Sequence, residues 1–462
     1  MSARIGSVGA ARASRPEHRD APAGFRTWAG TVDVPDAPVE TPWDVFEVVD
    51  VVRRAAATGR RVHPAGSGHS FTGVAAPRQP GPGTSLRLRH LSGVVDDSRA
   101  GEGLLTLGAG TPLHALPGLL APYGLALENM GDIDRQTLAG AVSTGTHGTG
   151  LALGCLATQV RGATLVDGTG EVRRIGQDDP RLAGVAVGLG TLGVLVDLTL
   201  QLVPAFALDL RVDSAPADEL FASWVERTAV DDHVEAFWFP HHPRAITKTT
   251  TRRPADTVPV PRSWFGRTVT DGIVSNAGLA ALARAADLFP RQAPWMNRTL
   301  GGLAPHRVVG PSHEVFVSHR TVRFREMEYG VPLADLPEVM AEVQAVIRRR
   351  RWPVGFPLEV RSVAGDDLWL SMAHGGPRAF VAVHTVHGDG RARAWFAELE
   401  RILVAAGGRP HWGKMHSRGA AELAPLYPRM GDFLALRRQL DPDGLFGNAS
   451  TDRVLGLTAP RG

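Results

Sequence analysis

The 462-residue sequence contains one cysteine, Cys155. A single thiol excludes an intrachain disulfide, a thiolate zinc cluster and a CxxC redox pair, and a reducing, cytoplasmic setting is expected. Lysine is nearly as scarce. Of the 50 basic residues only Lys248 and Lys414 are lysines, and the rest are arginines, so the base content reflects arginine usage and each lysine stands out. An excess of one charge sign is also missing. The 47 acidic residues leave a net charge of +3, too balanced for a dedicated nucleic-acid binder. Long hydrophobic runs are absent as well. The longest near-apolar stretch, Ala183 to Val196, is interrupted by glycines and cut by Asp197, short of the roughly 20 apolar residues that span a bilayer. Residues 1–24 hold several Arg, Ala and Pro but no apolar core, and read as a disordered lead-in rather than a signal peptide.

What is present is globular: 43% hydrophobic and 21% charged residues, with 53 glycines and 34 prolines making many loops. Thr41-Pro42-Trp43-Asp44 predicts a helix start with Thr41 as N-cap, and Val45, Val48, Val49, Val52 and Ala56 fall on one face before Gly59. Strands are expected at Leu86–His90, Leu104–Gly108 and Val194–Val203, and a short helix from Thr111-Pro112. Val160–Val166 and Glu171–Ile175 form a hairpin across Asp167-Gly168-Thr169-Gly170. Composition shifts after Pro204. Aromatic strand-like runs follow at His233–Phe239, Glu314–Phe324 and Phe380–His387, with amphipathic helices at Leu336–Arg350 and Arg393–Ala406. The expected division is a lead-in at 1–24, a first domain at 25–206, and a second domain from 207.

Several motifs resemble sites without the context they need. Gly188-Leu189-Gly190-Thr191-Leu192-Gly193 matches GxGxxG, but a β-rich run follows where a dinucleotide fingerprint opens a helix. A glycine-rich turn near a ligand is the better reading. No P-loop occurs, and Gly68-His69-Ser70-Phe71-Thr72-Gly73 misses the hydrolase elbow by one residue. His384 with His387, and His411 with His416, lack a supporting carboxylate motif, and strand positions three apart face opposite sides, so no metal is expected.

Two glycine-rich loops stand out. Ala65-Gly66-Ser67-Gly68-His69-Ser70 follows Pro64, and its small residues let the backbone approach a pyrophosphate closely. The second loop, Asn129-Met130-Gly131-Asp132-Ile133-Asp134, leads into Thr137-Leu138-Ala139-Gly140-Ala141-Val142-Ser143-Thr144-Gly145-Thr146-His147-Gly148. Together they resemble the FAD-binding domain of the vanillyl-alcohol oxidase superfamily. Phe356-Pro357-Leu358-Glu359-Val360-Arg361, Asp366-Asp367-Leu368-Trp369-Leu370-Ser371 and Arg409-Pro410-His411-Trp412-Gly413-Lys414 resemble the active-site segments of its sugar-lactone and alditol oxidase branch. The likeness spans roughly residues 25–456. It is strongest to the actinobacterial L-gulono-1,4-lactone oxidase or dehydrogenase group, akin to D-arabinono-1,4-lactone oxidase.

That resemblance implies an α+β, two-domain flavoprotein: an FAD-binding domain, an α+β substrate (cap) domain with an antiparallel sheet over 207–440, and a C-terminal segment, 441–462, returning to the FAD domain. It implies FAD held by Ala65, Gly66, Ser67, Gly68, His69 and Ser70, by Gly131, Asp132, Thr137, Gly140, Thr144, Gly145, Thr146 and His147, and by Val194 and Lys414. His69 would carry the flavin covalently. Asp132, His384 and His411 would face the substrate, and Glu359, Arg361 and Lys414 would be catalytic. The implied reaction is oxidation of an aldono-1,4-lactone at the secondary alcohol beside the carbonyl, giving a 2-keto lactone that enolises. Electrons would pass to O₂ or another small acceptor. Charge developing on the reduced flavin calls for a fixed cation, for which Lys414 and Arg361 are candidates. Glu359 and Arg361, two apart, share one face of a strand. Asp132 stands where alditol oxidases carry a serine, which favours a lactone over an open-chain polyol. The alternatives are an alditol or sugar oxidase and, from another class, a non-catalytic flavin- or nucleotide-binding module, which would be colourless without flavin. No nucleic-acid partner and no transmembrane segment are expected.

Overall fold

The computed structural model describes residues 24–78, 81, 83–260, 279–289, 291–300, 305–318, 322–386 and 392–457. The lead-in and His387 lie outside these residues. No helix among the described residues is long and apolar enough to cross a membrane.

The first helix spans Val45–Ala57. Its N-cap is Asp44 rather than Thr41: Asp44 Oδ1 accepts from Glu47 N at 2.9 Å, while Glu47 Oε2 accepts from Trp43 N at 2.9 Å. The N-cap bond moves the helix start into the sequence Asp44-Val45-Phe46-Glu47, and the Glu47 side chain reaches back to Trp43, the residue before the cap. Val48, Val51, Val52 and Ala55 are its buried residues. A parallel three-stranded sheet follows, in the order Val39–Glu40, Gly83–Leu86, Arg61–Pro64. The middle strand stops at Leu86 instead of running to His90, because the chain turns where Leu91 N donates to Leu88 O.

A five-stranded antiparallel sheet takes the order Val172–Ile175, Val160–Val166, Val194–Gln201, Leu104–Gly108, Val94–Asp96. The expected hairpin is held by the buried Asp167, whose Oδ1 accepts from Thr169 N and Oγ1 and from Glu171 N. The Gly188–Gly193 turn runs straight into the strand Val194–Gln201, with Gly190 and Gly193 at positive φ, so it does not open a helix.

The second half is built on an eight-stranded antiparallel sheet. Its order is His306–Pro311, Phe206–Pro216, Arg244–Pro254, His233–Trp238, Leu358–Val363, Arg378–Val386, Phe324–Pro332, Arg409–Pro410. The run expected as a strand over Glu314–Phe324 instead begins in a helical turn, Ser312–Phe316, entered through Pro311, and the strand starts at Phe324. Helices Leu336–Arg350 and Ala392–Ala405 cover one face of this sheet. Ala236, Leu358, Val360, Val381, Val383, Met327 and Tyr329 point into that core. The opposite face is free to carry polar groups.

The C-terminal helices Met430–Leu440 and Ala449–Leu455 pack into the core of the first half. Backbone bonds fix the return: Val62 N donates to Leu445 O and Gly168 N to Leu440 O. Asn448 Nδ2 donates to the carbonyls of Gly73, Val74 and Ala76.

Candidate active site

The register of the large sheet assembles the site. Glu235 lies opposite Arg361, and Arg361 opposite Phe380. Phe237, Glu359, Ala382 and Glu328 form the next row, and His384 with Glu326 the one after. Directly paired residues share a face. Four neighbouring strands therefore present Glu235, Glu359, Arg361, His384, Glu326 and Glu328 to the side opposite the helices. The last strand continues into His411 and Lys414. Backbone bonds from His411 N to Glu328 O and from Met415 N to Glu326 O lay that segment along the strand.

Glu359, Arg361, His384, Glu326, Glu328 and His411 line a cavity of about 750 Å³, together with Trp28, His69, Phe71, Asp132, Gln136 and Lys414, while Glu235 is outside that lining and meets Arg361. A second cavity of about 800 Å³ is lined by the loop Ala65–Ser70, Gly110, Thr137, Gly140, Leu189, Gly190, Gly193 and Leu195. His69, Ser70, Gln136 and Thr144 line both. The glycine loop is pressed against protein from behind. A Cβ on Gly66 would come within 2.4 Å of Thr137 Oγ1, and Gly68, at φ +73°, has Arg26 O at 2.8 Å. Only residues without a side chain let this loop pack so closely and leave its other side to the cavity. The small, largely apolar wall fits a dinucleotide cofactor, and of the FAD-binding residues expected from sequence Ala65–Ser70, Thr137, Gly140 and Thr144 line it. Two of the expected residues line neither cavity. Val194 is fully buried in the apolar core while its neighbours Gly193 and Leu195 reach the wall. Gly145, at φ +72°, turns toward Met372 and lines neither cavity. Thr146, His147, Gly131 and Asp132 lie on the polar cavity.

Two cations sit among five carboxylates. Arg361 is buried and in direct contact with Glu359, with Asp132 at 3.5 Å and Glu235 at 3.7 Å. Burial works against its charge, but Glu359, Asp132 and Glu235 outweigh it and raise its pKa. Arg361 Nε is buried and faces Glu235 Oε1 at 3.7 Å, too far for a hydrogen bond. Lys414 Nζ lies 2.5 Å from Glu326 Oε2 and 5.1 Å from the centre of the Phe71 ring. Burial opposes its charge too, and Glu326, Glu328 and Asp132 raise its pKa above the usual value. Glu326 and Glu328 are pushed up by burial but held well below the usual carboxylate range by Lys414 and by His147 respectively.

The histidines differ in what they offer. His384 Nδ1 donates to Pro357 O at 3.0 Å, so Nε2 faces the cavity, 3.6 Å from Glu326 Oε1. His147 Nδ1 donates to Gly148 O, and its Nε2 is 3.4 Å from Glu328 Oε1. His411 Nδ1 accepts from Gly413 N at 3.1 Å, and burial pushes its pKa down to about 3. His147, Glu328 and His411 are close enough to suggest a metal centre. A neutral His411 with Nδ1 accepting carries its proton on Nε2 and has no lone pair left for an ion. A hydrogen-bonded cluster accounts for this arrangement.

Glu326, Glu328, Gln136 and Trp28 were not expected from sequence. The signal for the two glutamates is the alternation Phe324-Arg325-Glu326-Met327-Glu328-Tyr329, carboxylates at period two against Met327 and Tyr329 in the core.

The D-arabinono-1,4-lactone oxidase family model matches residues 198–454, and an FAD-binding domain model matches residues 37–176. The L-gulono-1,4-lactone dehydrogenase of Mycobacterium tuberculosis is 38% identical over 94% of this chain and 99% of its own. An alditol oxidase of a Streptomyces species is 31% identical over 91% of this chain and 96% of its own. Cholesterol oxidase from B. sterolicum superposes with a TM-score of 0.80 at 19% identity, over 94% of this chain and 96% of that one. That last likeness is one of fold.

Proposed function

Because this chain belongs to the D-arabinono-1,4-lactone oxidase family and carries its FAD-binding module, we propose that it oxidises an aldono-1,4-lactone of the L-gulono, L-galactono or D-arabinono type. The carbon oxidised is the secondary alcohol beside the lactone carbonyl. The supporting observation is the single polar sheet face, where Glu359, Arg361 and His384 meet Asp132, His411 and Lys414 in a cavity that adjoins the glycine-loop cavity. FAD, when bound, supplies the hydride acceptor. The loop Ala65–Ser70 with Thr137, Gly140 and Thr144 holds it, and Thr146, His147 and Gly131 border the polar end. Glu359 and Arg361 hold substrate oxygens, His384 and Asp132 set which hydroxyl pattern fits, and Lys414 supplies the positive charge that the reduced state requires. A neutral lactone suits a cavity with more carboxylates than cations, whereas an aldonate would meet like charge. The relative of 38% identity acts on a lactone and the one of 31% on an alditol. Turnover on gulono- or arabinono-lactone against xylitol decides between them: faster turnover of xylitol would reassign the chain to the alditol branch.

His69 is the residue proposed to carry the flavin. It lines both cavities and stacks on Trp28 at 5.9 Å. Burial, then the charge of Lys414, lowers its pKa, so the imidazole is neutral and nucleophilic at pH 7. Acid precipitation should leave the yellow colour with the protein pellet, and His69→Ala should release it. Colour wholly in the supernatant of the parent enzyme rejects the bond.

Gly131 is proposed to govern oxygen access. It is not at positive φ, so the turn does not require glycine for its backbone. A Cβ there would meet His147 O and Thr146 Cγ2, both at 3.2 Å, so its neighbours must give by a few tenths of an ångström to admit it. Gly131→Ala should slow reoxidation by O₂ while dye-coupled turnover and FAD content persist. Parallel loss of both activities with flavin loss would make the glycine structural.

A further inference from the structure

The role given to Lys414 requires an amine that stays charged once cofactor and substrate have displaced water around it. An ammonium in such surroundings loses its proton unless an opposite charge is fixed beside it. The structure contains one built for that purpose. Glu326 is 6% exposed, yet its carboxylate lies at the cavity wall, with Oε2 at 2.5 Å from Lys414 Nζ and Oε1 at 3.6 Å from His384 Nε2. The two partners come from opposite sides: His384 from the neighbouring strand, and Lys414 from the segment that follows Arg409–Pro410. That segment cannot slide. Met415 N donates to the backbone carbonyl of Glu326 itself, and Phe71 N donates to Gly413 O, tying the lysine to the end of the glycine loop.

We propose that Glu326 is the positioning residue of this site, fixing the charge and aim of Lys414 in the polar cavity. The proposal rests on the reading of Lys414 given above. The remaining groups that face Lys414 do not substitute for Glu326. Glu328, on the same strand, is paired with His147, and Asp132, in the loop opposite, lies 3.5 Å from Arg361. Glu359 is in contact with Arg361. His69 and His411 are lowered by burial and neutral, and His384 shares Glu326. The Phe71 ring adds a cation–π contact.

Sulfite affinity tests this without turnover, because sulfite adds readily to an oxidised flavin that has a positive charge beside its pyrimidine end. Glu326→Gln removes a negative charge. If that charge acted on the flavin directly, sulfite would bind more tightly. If it acts by keeping Lys414 charged, the alkaline limit of flavin reduction should fall by about one pH unit or more, and sulfite should bind about threefold or more weakly at a pH between the lowered limit and the parental one. Glu326→Asp, which keeps the charge, should restore most of both. Glu326→Gln added to Lys414→Met should weaken sulfite no further. FAD content is measured first; if Glu326→Gln does not retain FAD, Glu326→Asp is read in its place, and its alkaline limit should lie below that of the parent. A parental limit and unchanged or tighter sulfite binding overturn the proposal. Lys414→Met without effect on sulfite binding or reduction overturns the role of Lys414 instead, so the two failures are distinct.

Discussion

Replacing Lys414 with methionine is expected to slow flavin reduction by about 10²–10³-fold, the usual cost of losing one preorganised electrostatic donor. Methionine keeps the length and packing of the side chain while deleting the charge. Lys414 is one of two lysines in the protein. The other, Lys248, sits 3.8 Å from Glu235 and over the Phe237 ring. Because Lys414 also neutralises Glu326, the single substitution leaves a buried carboxylate unpaired, which carries a cost of its own. Lys414→Met with Glu326→Gln removes that complication. The double variant should recover stability while reduction, followed by stopped flow, stays slow. Reduction at the parental rate in either variant would reject the assignment.

How much of this was legible in the sequence depends on how local each signal is. Glu359 and Arg361 announce themselves, two charges at strand period between Phe356, Leu358 and Val360. The glycine loop and the Thr137–His147 segment are contiguous and carry their own chemistry. Glu326 and Glu328 obey the same period-two rule as Glu359 and Arg361, yet charges on a strand normally mean a solvated face. What sets them apart is the pairing with Lys414, 88 residues away, and with His147, on the other half of the chain. Pairing at that distance is set by sheet register, which no local pattern encodes. The same reason explains Val194. Alternation correctly makes it a strand residue, but which face meets the cavity is decided by the partners at Val160–Val166 and Leu104–Gly108, and its neighbours Gly193 and Leu195 face the wall instead. At Thr41 the difficulty was local competition: two overlapping cap sequences, with the one that begins at Asp44 completed by Glu47.

The largest combined effect on fold and activity is expected at Arg361. Its guanidinium is the shared partner of Glu359, Asp132 and Glu235, all drawn toward one buried cation. Arg361→Ala leaves those carboxylates facing one another in a nearly dry site, and removing one partner of a buried ion pair typically costs about 3–5 kcal/mol. The pH dependence follows from the lost cation. A buried carboxylate without its counter-charge favours the protonated form, so the folded variant takes up protons more readily than the unfolded chain. The destabilisation should be small below about pH 4, where both states are protonated, and grow as pH rises toward neutrality. Thermal unfolding of the FAD-loaded variant across that range measures it. Glu359→Ala together with Arg361→Ala removes the most tightly held pair at once. It should be more stable than Arg361→Ala alone, and its loss in lactone turnover should be far smaller than the product of the two single losses, because residues that act as a unit are not additive. Strict additivity in both stability and turnover would mean that Glu359 and Arg361 are independent charges, and the polar face would lose its claim to hold the substrate.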